Sequence, residues 1–98
     1  MSHWIHPDVE VELGDAAIYY ASHASLSIAE AFLAEYERVR DLIVENQQRG
    51  PYADGGLRVY HFDRFPFSLF YEESQEQGPQ IYAVAHQSRE PGYWGSRS

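Results

Sequence analysis

Every fixed cation of this 98-residue chain is an arginine: Arg38, Arg40, Arg49, Arg58, Arg64, Arg89 and Arg97, with no lysine anywhere. A guanidinium fork can hold two oxygens of a phosphate or carboxylate at once. Histidine adds proton exchange near neutral pH. His86 falls at the end of an alternating segment, where it serves either as a hydrogen-bonded structural ring or as an acid–base group. Arg58 lies within a strand-like segment, where pairing with a carboxylate such as Glu72 competes with a binding role. Arg89 follows a strand end on a loop, a position from which a long polar side chain reaches outward. Tyr93 and Trp94 come next, rings suited to packing the tail onto the sheet or onto a partner.

Other chemistries are excluded or left without a constellation. There is no cysteine, so disulfides, thiolate metal sites and cysteine nucleophiles are out. His3, His6, His23 and His61 lack metal-ligand spacing, and neither a metal nor a cofactor is implied. Glu10/Glu12 and Glu35/Glu37 read as solvated helix surface, not as a glycosidase pair. The formal charge is −8, from 15 acidic against 7 basic residues. That balance argues against nonspecific DNA binding, which needs many phosphate-neutralising cations, while leaving room for a local arginine cluster. No segment approaches the ~20 apolar residues of a membrane span, and no basic-then-apolar leader opens the chain. The expectation is a cytoplasmic protein with no membrane partner, one domain over residues 1–98.

The elements that position these residues follow from period. Residues 8–48 carry helical spacing and residues 57–86 alternate like strands. Trp4-Ile5-His6 reads as a short strand. Pro7-Asp8 suits a helix start, continued by Val9, Leu13, Ala16, Ala17, Tyr20 and Ala24, with Gly14 weakening it. Ser22 to Ser25 reads as a break. Ser27-Ile28-Ala29-Glu30 matches a capping box, and Ile28, Phe32, Tyr36, Val39 and Ile43 form an apolar stripe that Gly50-Pro51 should end. Leu57–Phe62, Phe67–Glu72 and Gln80–His86 read as strands joined by short turns, hence antiparallel neighbours. Leu57 and Val59 share one face, as do Phe67, Leu69 and Tyr71, and Ile81, Ala83 and Ala85. Phe65, Phe67 and Tyr71 are expected in the core. The predicted fold class is α+β: a short N-terminal strand and a two-helix antiparallel hairpin packed on a mainly antiparallel sheet with a C-terminal three-strand meander. Phe32, Tyr36, Val39 and Ile43 should be buried against Leu69, Tyr71, Ile81 and Ala83.

Two stretches carry a family resemblance. Arg58, followed by Arg64-Phe65-Pro66-Phe67-Ser68-Leu69-Phe70-Tyr71, resembles a pattern of arginine, a phenylalanine–proline turn, and a strand ending in tyrosine. Ala83-Val84-Ala85-His86, running through Arg89, Pro91, Tyr93 and Trp94, resembles the ending of ParE-like plasmid-stabilisation toxins. The resemblance to the RelE/ParE toxin superfamily, ParE-like branch, covers roughly residues 5–97. It implies the toxin of a type II toxin–antitoxin system. The leading implied activity is non-enzymatic poisoning of DNA gyrase, with Arg89, Tyr93 and Trp94 as target-binding residues. The alternative is a ribosome-dependent mRNA endoribonuclease, with Arg58, His86, Arg89 and Tyr93 as its catalytic group and the ribosome and mRNA as partners. A third implied role is an antitoxin-binding domain that has lost toxicity. The chain departs from the family in charge, since such toxins are usually basic and meet an acidic antitoxin tail. Here the cognate antitoxin is expected to rely on apolar burial, on contacts to Arg38, Arg40 or Arg58, and on basic residues of its own.

Overall fold

A computed structural model describes residues 4–88. The elements run β1 (Trp4–Ile5), α1 (Pro7–His23), α2 (Leu26–Glu45), a single 3-10 turn (Asp54–Gly56), β2 (Arg58–His61), β3 (Phe67–Glu72) and β4 (Gln80–His86). The four strands form one sheet in the order β1-β4-β3-β2. β1 runs parallel to β4, with Ile5 beside Ile81, while β2, β3 and β4 form the antiparallel meander.

α1 begins where the sequence indicates. Pro7 stands in the first turn, where its missing N–H costs nothing, and the Asp8 N–H donates to His6 Nδ1 at 3.1 Å. α2 begins a step earlier than the predicted box. Ser25 is extended and its Oγ accepts the Ile28 N–H at 3.1 Å, so Ser27 already lies inside the first turn. Only Ala24 and Ser25 separate the helices, and the cap falls on the last residue able to stay extended while the chain reverses.

α2 also ends before Gly50-Pro51. It stops at Glu45, with Asn46 extended beyond it. Gly50 therefore has another task. A Cβ there would collide with the Val59 carbonyl, so glycine lets the α2–β2 connection press against the sheet.

The stripe on α2 does what its spacing requires. Phe32, Tyr36, Val39 and Ile43 are buried with Val9, Leu69, Tyr71, Ile81 and Val84 in one core between the hairpin and the sheet. Phe65 is buried beside them, and Phe67 packs on the same core half-exposed. Ala83 is the exception. Phe70 faces Ala83 while Tyr71 faces Ile81, which leaves Tyr82 as an extra residue on β4. A bulge of this kind resets the alternation. Ile81 and Val84 both face the helices, whereas Ala83 packs with Leu57, Phe70 and Tyr82 in a second cluster. The predicted common face for Ile81 and Ala83 is thus corrected. Among the described residues, no helix is long and apolar enough to cross a membrane.

Candidate functional site

Arg58 opens β2 directly across from Tyr71. Its partner is Glu73, not Glu72. Nε and Nη2 both reach Glu73 Oε1 at 3.0 Å. The reason is strand alternation: Glu73 lies two residues past Tyr71 and shares its side of the chain, while Glu72 points the other way. Nη1 donates to the Gly50 carbonyl at 2.7 Å, and the guanidinium carbon stacks 4.1 Å from the centre of the Tyr52 ring. Burial works against the charge, but the Glu73 bond and the neighbouring Tyr52 outweigh it and hold the group more firmly protonated. The side chain retains only 12% exposure. Arg58 is a tie between the α2–β2 connection and the end of β3.

His86 closes β4 opposite Phe67. Its ring stands edge-on to Phe67 at 5.2 Å. Its Nδ1 accepts the Ser88 N–H at 3.1 Å and lies 2.8 Å from Ser88 Oγ. It also lines a cleft of about 340 Å³ between α1 and β4, together with Glu12, Asp15, Tyr19 and Phe67. Arg58 and His86 are not brought together. Their partners on β3, Tyr71 and Phe67, are four residues apart, roughly 13 Å at about 3.3 Å per residue. They also flank β3 from opposite sides, and the Arg58 guanidinium is turned toward Gly50. One phosphate cannot touch both.

The two remaining described arginines with an expected binding role sit on α2. Arg38 donates to Glu35 through Nε at 2.8 Å and Nη2 at 2.9 Å, and Nη2 also reaches Asp63 at 3.1 Å. Arg40 pairs with Asp41 at 3.1 Å. Arg38 keeps 42% of its side chain exposed and Arg40 26%, so both remain reachable from solvent. Arg89, Tyr93 and Trp94 lie outside the described residues.

Two carboxylates that read as solvated surface are structural. Glu35 is buried. Beyond its fork to Arg38, its Oε2 accepts the Asp63 N–H at 2.7 Å. The Arg38 bond comes first among the causes that lower its pKa to about 2, opposed by burial and aided by the backbone donors Asp63 and Arg64. The missed signal is its spacing, three residues after Phe32, four before Val39, and three before an arginine. Glu12, likewise, accepts the Val84 N–H of β4 at 3.1 Å.

Comparison with known proteins places this architecture. Residues 5–91 match the family described as "ParE toxin of type II toxin-antitoxin system, parDE". Among solved structures, the chain is similar to one in the "Chromosomal ParDE TA system from P. aeruginosa", at 24% identity and a TM-score of 0.75, covering 88% of this chain and 95% of that one. At that identity the likeness speaks for the fold. No curated protein matches the sequence significantly.

Proposed function

This chain belongs to the ParE toxin family of type II toxin–antitoxin systems, and we propose that it acts in the cytoplasm as a single toxin domain that inhibits DNA gyrase and is neutralised by a cognate antitoxin. The observation that supports a non-enzymatic reading is the separation of Arg58 from His86. Cleaving RNA through its 2′-hydroxyl needs an acid, a base and a cation around one phosphate, and these two groups stand at opposite ends of β3. Arg58 is moreover engaged through all three guanidinium nitrogens by Glu73 and Gly50, with Tyr52 stacked on it, and the chain has no lysine. Target contact is assigned to Arg89, Tyr93 and Trp94, just past the end of β4. Arg38 and Arg40 are assigned to the antitoxin, whose C-terminal segment would cross the helical hairpin and the sheet edge. For Arg58 the geometry favours the structural role over antitoxin contact.

The test is a supercoiling assay with purified gyrase, run beside a ribosome-dependent mRNA cleavage assay. Loss of supercoiling with intact mRNA is the expected result. Cleaved mRNA with unaffected gyrase would replace this reading with the endoribonuclease.

A further inference from the structure

α1 has two faces. Val9, Leu13, Ala16 and Tyr20 turn inward to the core. On the opposite side, Val11, Gly14, Asp15 and Ile18 recur at i, i+3, i+4 and i+7, the spacing of a helix-packing stripe. Val11 is 61% and Ile18 66% exposed, so two branched apolar side chains stand in water two turns apart. Gly14 lies between them. Glycine is a poor helix former, and nothing among the described residues 4–88 explains it. Its backbone is helical, with no positive φ, and a Cβ added there would meet nothing within 4 Å. A glycine at such a place lets another backbone approach the helix closely.

Charge indicates what that backbone carries. α1 holds Asp8, Glu10, Glu12 and Asp15, its one basic residue is His23 in the last turn, and the first arginine in the sequence is Arg38. Asp8 and Glu10 stand in the first turn, where the helix dipole favours acids. Asp15 lies beyond that reach, within the exposed stripe. The same face of a second copy would set acid against acid. A cationic partner would not.

We propose that the outward face of α1, centred on Gly14 between Val11 and Ile18, is a docking surface for an amphipathic helix of the cognate antitoxin, with apolar residues over the stripe and lysine or arginine beside Asp15 and Glu10. This rests on the neutralisation reading above and reverses the usual charge relation of such pairs.

The test uses the whole chain and the small protein encoded beside it, purified at full length and labelled for fluorescence anisotropy. Three variants are compared with the natural sequence: Gly14→Gln, Asp15→Arg, and, as a control for net charge, Glu76→Arg on the β3–β4 turn. All three should fold, because each site is exposed and glutamine is the better helix former. The expected result is a Kd raised tenfold or more by Gly14→Gln and by Asp15→Arg, with Glu76→Arg within twofold. If the natural chain binds and both α1 variants bind equally well, the α1 surface is wrong and neutralisation stands. If the natural chain does not bind, the neutralisation reading falls and the surface with it. If sedimentation shows self-association that Gly14→Gln abolishes, the occupant is a second copy and the antitoxin assignment is overturned.

Discussion

The Tyr71 hydroxyl and Gly50 hold the α2–β2 connection against the sheet. Gly50 N–H donates to the hydroxyl at 3.1 Å, and the hydroxyl donates onward to the Gln47 carbonyl at 2.7 Å. The first bond is buried and the second partly buried, and Arg58 grips the Gly50 carbonyl at 2.7 Å. Three side-chain bonds thus converge on residues 47–50, the short path by which the hairpin is tied to β2 and β3.

Removing the hydroxyl leaves a buried N–H and a carbonyl without partners. Tyr71→Phe should therefore cost about 1–3 kcal/mol. Gly50→Ala should cost at least as much, because its Cβ meets the Val59 carbonyl, which the sheet holds in place. Urea denaturation of both variants measures this. A loss under about 0.5 kcal/mol in either would mean that the connection is not held there.

Glu35 should make the fold acid-sensitive. Its folded pKa of about 2 lies below the ordinary 4.5. A depressed carboxylate contributes stability that is complete above the unfolded value and is lost as pH falls through the folded one. The window is therefore from about 4.5 down to about 2. Because Arg38 is partly exposed and solvent-screened, the contribution is on the order of 2 kcal/mol, less than the whole shift implies. Glu35→Gln should flatten the pH dependence of the unfolding free energy across that window. An unchanged slope would show that other carboxylates carry it.

Phe32 has no exposed surface, and its ring contacts Tyr20, Phe62, Phe65 and Phe67. Phe32→Ala should cost about 3–5 kcal/mol. Chemical denaturation is the measurement, and a loss below about 1 kcal/mol would place the ring outside the core.

Arg58 and Arg89 should behave oppositely. Arg58→Ala removes a nearly buried cation from Glu73 and should destabilise by about 2–4 kcal/mol, lowering toxicity only as far as it lowers the folded fraction. Arg89→Ala should leave the melting temperature near that of the natural chain and relieve growth arrest on expression. Full growth arrest from a stable Arg89→Ala chain would remove Arg89 from the target-binding group.

Hydrophobic periodicity belongs to a segment by itself, and the elements that rest on it are legible from sequence. The bounds of β3 and β4, the α2 stripe from Phe32 to Ile43, the helix start at Pro7 and the α+β order all follow from residue spacing. The resemblance to ParE-like toxins agrees with the family match over residues 5–91, which takes in the ending as far as Pro91. What spacing cannot contain is register between segments. The bulge at Tyr82 turns Ala83 away from the helices, because the β3–β4 pairing absorbs one extra residue there. Arg58 meets Glu73 instead of Glu72 because strand alternation across the β2–β3 ladder selects it. Glu35 is buried because the β2–β3 turn folds two backbone N–H groups onto it from residues 63 and 64, donors that no local pattern around position 35 reveals. Tertiary structure likewise decides that Arg58 and His86 stand apart, since their distance is set by which residues of β3 each one faces. Local free energy selects the elements, and the contacts that assemble charged groups are chosen only when strands align and buried polar groups must find partners.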